Sequence, residues 1–467
     1  RSMWTAGWST TANTHQCFGI AAYNLALDCM ADDLIMQSQG NGWFWGDHCY
    51  NVKSNYTSSA FRSYDVWYAN YKWIANVNYI IDAEPEMAGT EADVAYVAGQ
   101  AYAIRALCYL NLATWFSRAP YNSLTGASRW NEPCVPVYTT GTSIDTGGQP
   151  RESLRTVYGR IDQDIDRAIE LLEKARETTL AENNKSHINL YVALGIKSRA
   201  CLAEGDWDGA FKAAKRVIDE GGYAVGTKSD LTGGMNSLDK QNVMWGAGIQ
   251  VADQAGGYAG FFTHMDNKEG AYAKSAPKLI SKQLYNRISA TDIRRDWWDP
   301  SDKESPYVSK KFSFANVASF LGDYIYMRVE EMYFTAAEAA LRLDDLKSAR
   351  ELMNTVMAER DPGYSANNRS GTLLGATTTT WTGSFLENIL THRRIELWGE
   401  YGRLFDVRRL GQGIDRRTDD GFSEECISMM NRRNVNITKA DTYDWVLTIP
   451  KAELDANPNI NEEDQNP

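Results

Sequence analysis

Trp43 and Trp45 flank Phe44 in the stretch 36–57, with Asn41, Asp47, His48, Tyr50 and Asn51 close by. Flat rings beside planar donors and acceptors are what a sugar demands, because a sugar offers apolar C–H faces rimmed by hydroxyls. If this loop is extended, alternation around Phe44 puts both indoles on one side. Two other stretches carry a similar mixture. Between 250 and 272, glycines space out Tyr258, Phe261, Phe262 and His264, and in DIRRDWWDP Trp297 and Trp298 are adjacent. The candidate ligand-binding residues are therefore Asn41, Trp43, Trp45, Asp47, Tyr50, Tyr258, Phe261, Trp297 and Trp298. For each ring the competing role is to plug the core, and Trp381, alone in a Thr-rich run, is an outlying candidate.

Catalytic constellations are scarce. The sequence has no H-E-x-x-H, G-x-S-x-G, G-x-x-x-x-G-K-[ST] or calcium-loop pattern, and its five His (15, 48, 187, 264, 392) are dispersed. The seven Cys never form a C-x-x-C pair, so no metal, redox group or other cofactor is expected. Cys108 and Cys201 fall on apolar helix faces and are expected in the core. A carboxylate pair for glycoside hydrolysis needs only two acids about 5 to 10 Å apart, from anywhere in the chain. The obvious acids have another task, however. Glu396, Glu400 and Asp406 alternate with Arg393, Arg394, Arg403, Arg408 and Arg409 and with Ile395, Leu397, Trp398, Leu404, Phe405 and Val407. Charges at helical spacing inside an apolar frame must be partly buried and paired. No catalytic residue is expected, and the chain is read as a binding protein rather than an enzyme.

Composition narrows the partner. Acidic residues outnumber basic ones, 60 to 48, for a net charge of −12, which disfavours nucleic acid. The 15 Trp, 25 Tyr and 14 Phe are too many for all to be core. No apolar run approaches a membrane span. The sequence starts at Arg1 without a charged-then-apolar leader, so either no targeting segment exists or the sequence begins downstream of one.

The elements that must position these residues are helices. Val329, Met332, Tyr333, Ala336, Ala337, Ala340 and Leu341 repeat at helical spacing and predict a helix over about 327–343, followed by another over 346–359. Lys197–Ala210 aligns without gaps on Ala336–Ala349 at an offset of 139 (349 − 210), each reading helix, acidic turn, helix. Such pairing is tetratricopeptide-like. Further helices are expected at about 15–31, 60–83, 91–116, 153–176, 277–288 and 384–402, the last opening on a Ser384–Glu387 capping box. The segments between them, 36–57, 117–150, 222–275 and 362–383, are loop-rich and are where a ligand would be met.

Five segments carry a family resemblance: RALCYLNLATWFSRAP (105–120), PRESLRTVY (150–158), RVEEMYFTAAEAALRL (328–343), HRRIELWGEYGRLFDVRRLG (392–411) and the tail IPKAELDANPNINEEDQNP (449–467). In this order they resemble the SusD/RagB family. His392 stands where that family usually has Glu, and Tyr401 intrudes before Gly402. The resemblance implies an all-α, loop-rich fold of tetratricopeptide-like hairpins within one domain over 1–467. The helical scaffold would lie at about 15–35, 60–116, 153–221 and 327–411, and the irregular ligand-binding portion at about 36–57, 222–326 and 362–383. It also implies non-catalytic capture of an oligo- or polysaccharide on the surface of a Bacteroidetes-type outer membrane, and delivery to a TonB-dependent, SusC-like transporter. Membrane contact would then be only through an N-terminal lipid anchor that the sequence does not include. Two alternatives remain: peptide capture, as in RagB-like members, and a tetratricopeptide-type scaffold for protein partners.

Overall fold

The structure, a computed structural model, describes residues 13–51, 61–143, 145–178, 180, 184–250, 259–440 and 442–467. It is mainly helical, 51% helix against 7% strand. The principal helices are α1 (Ile20–Met30), α2 (Phe61–Ala83), α3 (Glu91–Phe116), α4 (Leu154–Lys174), α5 (Leu190–Glu204), α6 (Trp207–Glu220), α7 (Val329–Arg342), α8 (Leu346–Ala358), α9 (Phe385–Glu396), α10 (Arg403–Leu410), α11 (Glu424–Arg432) and α12 (Lys451–Ala456). From α2 to α8 each packs on the next in chain order, and α9 closes on α7. No helix among the described residues is long and apolar enough to cross a membrane.

Short polar side chains start these helices. Thr90, Ser153, Asn189, Asp206, Asp345, Ser384 and Ser423 each accept a hydrogen bond from the backbone N–H three residues on, a cap worth about 1 kcal/mol apiece. The repeat is visible in them. Asp206 and Asp345 cap α6 and α8, and Gly205 and Asp344 before them both take left-handed φ, 76° and 61°. Ala200, Ala210, Ala339 and Ala349 are buried, and Ala339 packs directly against the Cys201, Leu202 and Ala210 cluster. At Ser384 the cap is formed, but Glu387 turns its carboxylate to the N–H groups of Thr382 and Gly383, so the reciprocal half of the expected box is absent.

Three expected helices are shorter than their patterns. Gly19 at φ 76° delays α1 to Ile20. The 384–402 helix stops at Glu396 because Gly399 and Gly402 lie at φ 75° and 85°, and α10 restarts at Arg403. Segment 277–288 is a strand, Lys278–Ile280, followed by the one-turn helix Lys282–Tyr285. The strands β1 (Leu34–Met36), β2 (Val243–Ala247), β3 (Lys278–Ile280), β4 (Trp298–Asp299), β5 (Val308–Ser309) and β6 (Tyr324–Arg328) make two small antiparallel sheets, ordered β1-β3-β5-β4 and β2-β6. Pairing of Met36 with Lys278 brings the loop after β1 beside the segment before β3.

One continuous apolar core runs from Phe18 to Ile460 and includes Cys108. Within the protein lies a charged hub. Glu396 accepts from Arg294, Arg328 and Arg360 at 2.9–3.0 Å, Glu330 from Arg360 and Arg328, and Glu400 from Arg328 and Lys311. Burial alone would raise the Glu396 pKa, but Arg360, Arg328 and Arg294 outweigh it and hold the carboxyl well below its usual range. Each carboxylate oxygen is matched by a cationic or amide donor, so these acids are pinned as structure. His392 belongs to the same hub, 2.9 Å from Arg294, and burial and Arg294 keep it neutral. The tail is also fixed: Gln465 pairs with the backbone of Ile449, and Asn466 donates to the carbonyls of Phe116 and Leu447.

Candidate ligand-binding face

Trp43 lies where the loop after β1 meets the segment before β3. Gly40, at φ 50°, makes that meeting possible, since a Cβ there would stand 2.7 Å from the Ser275 carbonyl oxygen. Across the junction Ser275 Oγ donates to Asn41 Oδ1 at 2.6 Å. The half-buried indole of Trp43 stacks on His15, ring centroids 4.5 Å apart and 12° from parallel. Tyr272 closes the cluster at 6.1 Å from Trp43 and 5.5 Å from His15, and its hydroxyl meets His15 Nδ1 at 2.5 Å.

Below this cluster sits His264, whose Nε2 is 2.6 Å from the His15 carbonyl oxygen. Burial first, and then the nearby Lys278, push its pKa well below the usual histidine range. The ring is therefore neutral, with the Nε2 hydrogen given to His15, and the buried Nδ1 has no hydrogen-bond partner. Lys278 is itself lowered to about 8 by burial, and its Nζ donates to the Ala276 carbonyl. The result is a neutral imidazole directly under three half-exposed rings, with the exposed amide of Asn41 at the edge. Such a surface takes apolar C–H faces on the rings and hydroxyls at the rim.

The other expected residues divide sharply. Phe44 takes the left-handed conformation, φ 60°, and begins the one-turn helix Trp45–His48. The loop is thus not extended, and the two indoles do not share a side. Trp45 is buried, 3% exposed. Asp47 is buried in a two-point ion pair with Arg62 at 2.8 and 2.9 Å. The buried Tyr50 donates to the Met30 carbonyl at 2.7 Å. Phe261 is wedged against Phe262 and Phe312. Trp297 donates to the Leu231 carbonyl, and Trp298 meets Trp398 edge to face. Those six side chains are packed inside and present no open ring face or polar edge to a ligand. Tyr258 lies outside the described residues. Trp381 lies against the guanidinium groups of Arg287 and Arg394, 3.8 and 5.4 Å from its ring centroid.

His15 and Tyr272 are the residues that sequence reasoning missed. Tyr272 stood at the end of the 250–272 stretch, but its placement depends on the β1–β3 pairing, and His15 carried no local signal at all.

The comparisons with known proteins agree with this architecture. Residues 270–467 match the model of the SusD family, and residues 18–202 match a model described as starch-binding associating with outer membrane. No curated protein matches. Among solved structures, a SusD-like carbohydrate binding protein from Bacteroides vulgatus is 25% identical over 97% of this chain and 94% of its own, with a TM-score of 0.77. A SusD superfamily protein from Bacteroides thetaiotaomicron is 22% identical over 95% and 94%, TM-score 0.75. The surface glycan-binding protein A of Bacteroides thetaiotaomicron, in complex with laminarihexaose, is 16% identical over 95% and 93%, TM-score 0.64. With the five motifs in order, the helical array and two family models matched at opposite ends, the chain belongs to the SusD/RagB family.

Proposed function

We propose that this chain captures an oligo- or polysaccharide at the surface of a bacterial outer membrane, holds it without cleaving it, and passes it to a TonB-dependent, SusC-like transporter. The observation that carries the proposal is the half-exposed Trp43–His15–Tyr272 cluster with Asn41 at its edge. Family membership and the laminarihexaose complex of a structurally similar protein support it. Asn41 and Trp43 remain from the sequence-based site, with Tyr272 added. The loops that meet at Gly40 form the ligand-binding portion, and the helical array is their support. Stacking contributes about 0.5–1.5 kcal/mol per ring, so a few rings give modest affinity, which suits capture followed by release. Burial and pairing of Glu330, Glu396 and Glu400 favour binding without turnover. Attachment through an N-terminal lipid is part of the same proposal.

The test is a glycan array with the purified protein, followed by chromatography of the bound sugar after prolonged incubation. Saturable binding with the sugar recovered intact is expected. Cleavage products would overturn the non-catalytic part, and an empty array with binding to a peptide library would overturn the ligand class.

A further inference from the structure

A second concave surface shares no residue with the Trp43 cluster. On α2, Trp67 and Tyr68 are neighbours and Tyr71 follows one turn on, at i+4 and i+3 from them. Tyr138, in the segment after α3, meets Tyr71 edge to face at 5.8 Å and 89°, and Glu453 of α12 reaches in from the C-terminal segment. Together with Thr142 they line a groove of about 250 Å³.

Its walls are held from behind. Trp67 sits at the base, edge to face with Phe116 at 4.9 Å, and its Nε1–H donates to Glu453 Oε2 at 3.2 Å. Tyr71 donates to the Pro136 carbonyl at 2.8 Å, and the Tyr138 hydroxyl accepts from the Gln149 N–H at 3.0 Å. The other Glu453 oxygen accepts from Asn457 Nδ2 at 2.9 Å. The groove is therefore preformed: its rings and its carboxylate keep their places before any ligand arrives, which removes part of the ordering cost of binding.

We infer that this groove is a second saccharide subsite, one that takes an uncharged sugar ring between Tyr68, Tyr71 and Tyr138, with Glu453 accepting from its hydroxyls. Three properties select that ligand. The tyrosine faces suit C–H surfaces of a pyranose. The Glu453 carboxylate retains lone pairs beyond those used by Trp67 and Asn457, and a charged acceptor makes the stronger kind of hydrogen bond to hydroxyl. No Lys or Arg is among the residues lining the groove, so a uronate or sulfated sugar would meet an unbalanced carboxylate and be rejected. The volume fits about one sugar ring, so the subsite acts on a longer glycan that also engages the protein elsewhere or on a chain end.

This inference rests on the proposal that the protein binds glycans, and the two can fail separately. The experiment titrates the tightest neutral oligosaccharide from the array into wild type, Trp43→Ala, Tyr68→Ala and the Trp43→Ala/Tyr68→Ala pair. Tyr68 is half-buried at the mouth of the groove, so its truncation is expected to leave the fold intact. Trp43→Ala should retain a weaker binding phase, and Tyr68→Ala should weaken that phase by about three- to tenfold, the span of one lost stacking contact. Tyr68→Phe should stay near wild type. If Tyr68→Ala lowers the unfolding midpoint markedly, the isosteric Glu453→Gln replaces it, with about a threefold loss expected for a charged acceptor made neutral. Complete loss of binding in Trp43→Ala, or indifference to the groove variants in both backgrounds, would overturn the subsite and leave glycan capture standing. An array without any sugar bound would overturn both.

Discussion

The hub around Glu396 and the cluster around Trp43 are built from opposite materials, and each sits where a different rule would look for function. In the hub, three guanidiniums converge on one fully buried carboxylate, and the charge density resembles that of an active site. Around Trp43 there are rings, a neutral imidazole below them and one exposed amide. The hub is closed because every charge in it is met, so it has nothing left to offer a substrate. The ring cluster is open because rings need no partner to be stable at a surface. In the hub, perturbed ionisation comes from paired charges that lock the helices together, whereas the rings around Trp43 keep part of their faces exposed, as the proposed ligand site requires.

The largest test of that contrast is Glu396→Ala. Removing the carboxylate leaves Arg294, Arg328 and Arg360 facing one another inside the protein, a loss expected near the upper end of the about 3–5 kcal/mol seen when one partner of a buried pair is removed. Chemical denaturation should show it as a large drop in the midpoint, or as failure to accumulate soluble protein. A folded variant of wild-type stability that had lost sugar binding would instead make the hub a functional site.

Proton uptake probes the floor of the ring cluster. His264 has a folded pKa well below its unfolded value of about 6.5, so below that pH the unfolded chain binds a proton that the native protein refuses. Its contribution to stability is full above about pH 7 and falls as pH drops. By pH 5 one such histidine costs about 2 kcal/mol relative to neutral pH. His392 acts in the same direction from the hub, and the difference between wild type and His264→Gln isolates the share of the ring cluster. Denaturation midpoints from pH 8 to 5 should fall less steeply in the variant; parallel curves would mean that His264 is not kept neutral.

Gly40→Ala asks whether the ring cluster is assembled by the junction of its two segments. The new Cβ meets the Ser275 carbonyl oxygen at 2.7 Å on a backbone already at φ 50°. A cost of about 1–2 kcal/mol is expected, from the left-handed conformation and the collision together. Because Asn41 and Trp43 follow directly, sugar affinity should fall with stability. Unchanged affinity would detach the loop junction from the site.

The contrast also explains what the sequence disclosed. Helix bounds for α2, α3, α4, α7 and α8 were legible because each has a polar start and an apolar stripe that repeats locally. The acidic caps at Asp206 and Asp345 were legible because the repeat preserves them. Pairing of the charged string was legible since charges set among Leu, Trp and Phe have no other stable outcome. The ring positions were not. Whether Trp43 and Trp45 share a side turns on the φ of Phe44, a non-glycine residue in a conformation that costs about 1–2 kcal/mol and that no neighbouring residue announces. Phe261, Trp297 and Trp298 are buried by Phe312, Leu231 and Trp398, partners supplied by the tertiary fold rather than by local spacing.

The smallest expected effect on folding is the most informative about function, and it comes from setting Trp43→Ala beside Trp45→Ala. Only Phe44 separates these indoles in the sequence, yet one is half-exposed and the other is 3% exposed inside the core. Truncating Trp45 leaves a ring-sized void and should cost about 3–5 kcal/mol. Truncating Trp43 removes a stack on His15 and a tilted contact with Tyr272, about 1 kcal/mol at most. Sugar affinity should run the other way, with Trp43→Ala losing about three- to tenfold through the missing platform and any folded Trp45→Ala protein binding nearly as wild type does. Unfolding midpoints and titrations on the same two preparations decide it. If both variants lose affinity only in proportion to stability, the rings around Trp43 are scaffold as well, and the ligand is met elsewhere on the molecule.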